Sequence, residues 1–405
     1  MADPLRVRLS GPLEPFAGGF AADLARQGYA RDSVVLQLQL MAHLSRWLES
    51  ERLAVGELRG AVVVERFVAA RRARYTRHVS PRALAPLLGY LRGTGVVAAR
   101  AAAVPPSPAE AVLERHRCYL VSERGLRAET ARGYVGRVRP FVVEHVTADG
   151  SPLADLTAAD ASAFVLAACR GRSAGSAKLT VTALRSLLRF LHVEGLIDGS
   201  LSAAVPAVAG WRLAGLPRAL EAGATRALMA GCDRGTVVGR RDFAVLTLLR
   251  RLALRAGELV RLRLDDIDWH AGELVIRGKG DRYERLPLPA DVGEALADYL
   301  RRGRPAGGES RAVFMRVRAP HGPLTVGAVK QIVARAGLRA GVGDVTPHRL
   351  RHTAATEMLR AGAPLSEIAQ VLRHRYLSST AIYAKVDREA LRSLARPWPA
   401  GAGVA

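Results

Sequence analysis

A helical rhythm dominates the chain. Leu184, Leu187, Leu188 and Leu191 recur at i, i+3, i+4 and i+7, the spacing that lines one face of an α-helix, while Arg185 and Arg189 fall on the opposite, wet side. The pattern changes once, at Asp265. There DDIDWHAGELVIR, GKGDRY and ERLPL adopt a strand rhythm, and residues 274–277 and 284–288, joined through Gly278-Lys279-Gly280, predict a hairpin. The expected fold class is mainly α with a small antiparallel β-sheet.

Two proline- and glycine-rich stretches, VAARAAAVPPSPAE from Val97 and AAVPAVAGWRLAGLP from Ala203, read as linkers. They leave a helical block at 1–97, a linker at 98–107, a second helical block at 108–203, a linker at 204–216, a third block at 217–395 and a tail at 396–405. The first two blocks look like copies. Residues 83–97 align without gaps on 183–197 at an offset of 100, sharing one Ala, four Leu and one Gly. Internal duplication of a small helical domain is the simplest account.

Composition narrows the function. The 405 residues carry 60 Lys+Arg against 37 Asp+Glu, a formal net charge of +23, with 49% hydrophobic residues, which excludes a disordered chain. No stretch approaches the ~18 uninterrupted apolar residues of a membrane span. The first twenty residues show no basic head followed by an apolar block, so a cytoplasmic protein is expected. Cys118, Cys169 and Cys232 are too widely spaced for a metal knuckle and read as buried small apolar residues. Only four residues are lysines, Lys178, Lys279, Lys330 and Lys385, so arginine richness is partly codon bias. The uncompensated charge is not, and it points to a polyanionic partner, usually nucleic acid.

The third block concentrates the chemistry. In TPHRLRHTAATEMLRAG, Thr346 is a plausible N-cap, Pro347 suits the first helical position and Gly362 stops a helix of about four turns. His348 and Arg351 stand three apart on one face, with Leu350, Ala354 and Met358 turned to the core. His348 and His352 also have zinc-ligand spacing, but Arg349 stands where a zinc-protease helix has its Glu, which argues against a metal. PLSEIAQVLRHRYLSSTAIYAKVD predicts a helix from Pro364, a break at 375–379 and a new helix bearing Tyr383, nine residues after His374. Upstream, ALRAGELVRL places Arg255 three residues before Glu258 on a mostly apolar helix, where an unpaired charge is costly. Each residue alone has a plain explanation: a helical ion pair, a turn lysine, a helix-end cation, a core aromatic. Those explanations do not account for the order Arg, Lys, His-x-x-Arg, His, Tyr within one block of a basic protein.

That order resembles the tyrosine recombinase, or phage integrase, family. ALRAGELVRLRLDDIDW is similar to the family's first-arginine box, GKGDRYERLPL to its lysine hairpin, TPHRLRHTAATEML to its H-x-x-R box and VLRHRYLSSTAIYAKV to its final His-and-Tyr box. The block at 108–203 looks like the family's helical core-binding (SAM-like) domain, and 1–97 like a divergent second copy of it. One departure is Arg373, where the family usually has Gly before the histidine.

The resemblance implies a site-specific recombinase that breaks and rejoins DNA strands through a 3′-phosphotyrosine, without metal, cofactor or ATP, for a phage or mobile element. It implies double-stranded DNA as partner, four protomers on two synapsed sites, and no membrane. It also implies roles: Arg255 and Arg351 clamp the phosphate, Glu258 orients Arg255, Lys279 is the general acid, His348 helps remove the proton, His374 donates to the phosphate and Tyr383 is the nucleophile. The segment VDREALRSLA after Tyr383 would dock on a neighbouring subunit. Two other readings stay open: a DNA-binding protein of the same fold without the reaction, and a type IB topoisomerase.

Overall fold

The computed structural model describes residues 7–98, 107–146, 153–209, 219–278, 283–305, 310–374 and 379–386. Lys279 at the hairpin tip, residues 375–378 of the expected break at 375–379, much of both linkers, the segment from residue 387 onward and the tail at 396–405 lie outside them. Two compact units emerge, Arg100–Ala214 and a larger one formed by Met1–Ala99 with Gly215–Ala405.

The described residues are mainly helical, with one three-stranded sheet. The first block contributes α1 (Ala17–Arg26), α2 (Arg31–Ser50), α3 (Ala61–Arg72) and α4 (Ala85–Gly93) around a core that includes Phe20, Leu44, Phe67 and Leu91. The smaller unit contributes α5 (Pro108–Ser122), α6 (Ala128–His145), α7 (Ala158–Cys169) and α8 (Ala174–Val193). Leu184, Leu187, Leu188 and Leu191 are all fully buried there, as their spacing requires. Arg185 is not on a wet face: it is half-buried, and Nη2 donates to the Val205 carbonyl at 2.7 Å, because the chain after α8 folds back over that side.

The last helix of each block and the turn after it bury equivalent positions. Leu84, Leu87, Leu88, Leu91 and Val97 are buried, as are Leu184, Leu187, Leu188, Leu191 and Ile197. Between the last two members of each set, Gly95 (φ +75°) and Gly195 (φ +67°) take the left-handed turn that lets the chain double back. Within the larger unit the first block meets the third at a close approach. The Gln27 carbonyl accepts from the His321 backbone N–H at 2.9 Å, and a Cβ on Gly28 would lie 2.0 Å from the His321 ring.

The third block is built on α9 (Ala222–Ala230), α10 (Val237–Arg251) and α11 (Ala256–Arg261), followed by β1 (Ile267–Asp268), β2 (Glu273–Arg277) and β3 (Tyr283–Pro287). The strands pair antiparallel in the order β1-β2-β3, with Leu274 opposite Leu286 and Arg277 opposite Tyr283. Each hairpin arm therefore begins one residue earlier than its hydrophobic pattern predicts. Next come α12 (Ala290–Arg302), α13 (Val326–Arg339), α14 (Pro347–Arg360) and α15 (Leu365–Val371), then a 3-10 helix at Ala381–Val386. Tyr383 sits on that 3-10 turn rather than on an α-helix. The core runs along α10, whose Ala244, Val245, Leu248 and Leu249 are fully buried against α12 and α14.

Cysteine placement departs from expectation. Cys232 is buried, but Cys169 is only partly so and Cys118 is exposed. Cys118 lies on the outer face of α5, where its thiol reaches Glu114 instead of the core. Among the described residues no helix is long and apolar enough to cross a membrane.

Candidate active site

Arg255 is not inside a helix; it is the residue immediately before α11, in extended conformation (φ −75°, ψ 147°). From there its backbone N–H donates to Glu258 Oε2 at 2.9 Å and its Nη1 to Glu258 Oε1 at 2.6 Å. Glu258 is 2% exposed, and a buried carboxylate persists only when paired. Burial pushes its carboxyl up. The Arg373 guanidinium, the Arg255 N–H and the Arg255 guanidinium together outweigh that and hold it below the usual range. The Arg255 side chain remains 46% exposed.

Helix α14 supplies the next group, and its sequence fixes its start. The Thr346 hydroxyl accepts from the Arg349 N–H at 3.2 Å, and Pro347 takes the first turn, where no N–H is needed. Arg351 is 3% exposed; Nη1 donates to the Ala253 carbonyl and Nη2 to the Leu372 carbonyl. Burial, then Arg255 and Arg373, push its guanidinium down, so this spot is short of negative charge. Arg255, His348 and Arg351 line one cavity of about 380 Å³, together with Lys330 from α13 and Asp344.

Burial, then Arg351 and Arg255, lower the His348 imidazole. His352 packs edge-on to it, with ring centroids 4.3 Å apart, and is pushed down to about 4 by burial, His348 and Arg351. His374 is also lowered to about 4, by burial first and then by Arg351, Arg255, His352 and Arg373; its Nδ1 lies 2.8 Å from the Thr380 hydroxyl. At neutral pH these rings are uncharged, and the positive field comes from the arginines.

Tyr383 is 2% exposed, and its hydroxyl lies 2.7 Å from His352 Nδ1. Burial pushes the phenol up to about 12, against a smaller opposing pull from Arg351. Six of the seven residues singled out in the sequence thus fall into one network around α14, and Lys279 lies outside the described residues. Three further members went unrecognised: His352 on Tyr383, Thr380 on His374 and Arg373 on Glu258. His352 carried a signal in its four-residue spacing from His348 and Arg373 in replacing the family's usual Gly, whereas Thr380 had none.

This arrangement can receive an anion between two guanidiniums, with neutral imidazoles available to donate or accept protons. Among the described residues no group of three or more His, Cys, Asp or Glu side chains is placed to hold a metal ion.

Comparison with known proteins gives two family matches: the Phage integrase family over residues 218–390 and the Phage integrase, N-terminal SAM-like domain, over residues 113–195. A putative integrase/recombinase of Sinorhizobium fredii is 40% identical over 393 residues, 96% of this chain and 95% of the relative. Tyrosine recombinase XerD of Mycobacterium tuberculosis is 34% identical over 295 residues, 68% of this chain and 93% of the relative. Among solved structures, a lambda integrase dimer bound to a COC′ core site matches with TM-score 0.54 at 20% identity, over 84% of this chain and 89% of that one. The XerH recombinase in a post-cleavage complex on palindromic difH substrate matches with TM-score 0.56 at 18% identity, over 83% and 95%. At these identities the two structures share the fold.

Proposed function

This chain belongs to the phage integrase family of tyrosine recombinases, and from that premise we propose that it cleaves and rejoins double-stranded DNA at specific sites through a 3′-phosphotyrosine, for a phage or mobile element. The observation that carries the reading is the convergence on α14: Arg255, His348 and Arg351 line one cavity, and the Tyr383 hydroxyl rests on the neighbouring His352.

In the proposed step, Arg255 and Arg351 hold the two non-bridging oxygens of one phosphate through forked hydrogen bonds that strengthen as charge builds. Glu258 keeps Arg255 oriented. The Tyr383 oxygen attacks phosphorus and gives its proton to His348, while His374 donates to the phosphate. The P–O5′ bond breaks, and Lys279 protonates the departing 5′ oxygen. A 5′ hydroxyl from a second strand reverses the step, which conserves the phosphodiester's energy and needs no ATP.

The same reading assigns 108–203 as the core-binding domain, 1–97 as its divergent duplicate and 217–395 as the catalytic domain. The enzyme acts in the cytoplasm as a homotetramer across two DNA sites, and residues from 387 onward dock on a neighbouring subunit. The test is a nicked suicide duplex carrying the repeat that flanks the gene, resolved on a denaturing gel with peptide mass analysis. The expected result is a covalent adduct on Tyr383 that Tyr383→Phe abolishes; an adduct that persists in that variant rejects the assignment.

A further inference from the structure

Arg373 stands where the family usually has glycine, and its backbone accounts for that preference. Its φ is +52°, the left-handed region that side chains disfavour. An arginine kept there must be held by what it touches. Its side chain is 4% exposed. Nη2 donates to Glu258 Oε2 at 2.9 Å and to the Ala253 carbonyl at 3.2 Å, and Nη1 donates to the Val371 carbonyl at 2.9 Å. The Arg373 carbonyl in turn accepts from Arg255 Nη2 at 3.3 Å.

We propose that Arg373 is a positioning residue of the recombination site: its guanidinium neutralises the buried Glu258, and with its own carbonyl it fixes Arg255 toward the cavity, leaving a surplus of positive charge for a phosphate. The inference rests on the functional reading above.

Charge decides the argument. Glu258 is one carboxylate facing Arg255 and Arg373, with Arg351 bonded to the same Ala253 carbonyl as Arg373. Arg373 Nε also lies 3.9 Å from Glu284 Oε2, so three guanidiniums face two carboxylates and leave one positive charge in surplus. With glycine at 373 that surplus is lost, and Glu258 keeps Arg255 as its sole ion-pair partner. Arg373 does not itself line the cavity, so it acts through Arg255 and Glu258. In a buried site such a charge is weakly screened and is felt by any anion entering it.

The experiment compares full-length wild type, Arg373→Gly and Arg373→Lys. Glycine fits the left-handed backbone, so Arg373→Gly is expected to fold. It should bind duplex within about threefold of wild type yet form the Tyr383 adduct at least about tenfold more slowly in single turnover, the loss falling on the rate constant rather than on half-saturation. Arg373→Lys, which restores a cation, should recover much of that rate. In the free protein, Arg373→Gly should weaken binding of inorganic phosphate and raise the NMR titration of His374, whose ring faces Arg351, Arg255, His352 and Arg373. Wild-type cleavage by Arg373→Gly would overturn the inference. So would a loss that lysine fails to repair and that tracks a lowered melting temperature. If wild type itself forms no adduct, the functional reading falls, and the phosphate and His374 titrations decide the role of Arg373 alone: no change in either rejects it.

Discussion

The Tyr383 hydroxyl is spent on His352 Nδ1, 2.7 Å away, with the ring almost wholly out of solvent. A phenol pushed up to about 12 by burial stays protonated across the physiological range, so the free protein stores its nucleophile in an unreactive form. The folded state holds this proton more tightly than the unfolded chain, whose tyrosines titrate near ~10, so stability falls as pH rises from about 10 to 12, by up to about 3 kcal/mol. Urea unfolding of wild type and Tyr383→Phe checks this: the variant should lose less stability between pH 9 and 11. Equal losses would mean that the phenol is not buried in the folded state.

Lys279 is expected to protonate the 5′ leaving oxygen. Lys279→Ala should slow cleavage of ordinary DNA by at least about a hundredfold, the usual range for a lost general acid. A duplex with a sulfur-bridged 5′ leaving group needs no proton, and on it the variant should approach wild type. Failure of that rescue would move the acid elsewhere, with Lys330, the lysine that lines the cavity, as the next residue to test.

The first block carries its own electrostatic signature. No acidic residue occurs between Glu65 and Glu110, while Arg66, Arg71 and Arg72 on α3 are followed by Arg74, Arg77 and Arg82. Arg74 and Arg77 are exposed. If this strip tracks phosphates, replacing both with glutamine should reduce the slope of log affinity against log salt by about two, since each phosphate contact contributes about 0.9. Affinity measured on a long duplex at several salt concentrations reads this directly; an unchanged slope would assign the strip to ordinary solvation.

Local sequence signals specified much of the architecture. Thr346, Pro347 and Gly362 bracket α14 because capping, a fixed φ and a left-handed stop are properties of single residues. The repeated leucines of 83–97 and 183–197 bury as their spacing demands. Long-range chemistry was less legible. Three-residue spacing puts His348 and Arg351 on one face, but Arg351 is buried because carbonyls 98 residues before it and 21 after it close over its guanidinium. Likewise nothing local announces that His352 meets a tyrosine 31 residues onward, or that Arg373 reaches a carboxylate 115 residues back. Such contacts depend on how α10, α11 and α14 pack, which periodicity leaves undetermined.

His116 offers an acid-side test within the smaller unit. It is fully buried on α5 against Phe190, with both ring nitrogens lacking a hydrogen-bond partner, and burial pushes its imidazole down to about 4. A ring in this setting is kept neutral by the fold and behaves as a core aromatic. The unfolded chain protonates the same imidazole near ~6.5, so between about 6.5 and 4 the unfolded state binds more protons, and stability falls as pH falls. The lowered pKa sets the size of that loss at up to about 3 kcal/mol by pH 4. His116→Phe removes the titration and keeps an aromatic of similar volume. It should match wild type near pH 8 and be clearly more stable at pH 5, by chemical denaturation of the full-length chain. If the difference between the two proteins does not change with pH, the ring is solvated or hydrogen-bonded in the folded state, and its burial carries no proton linkage.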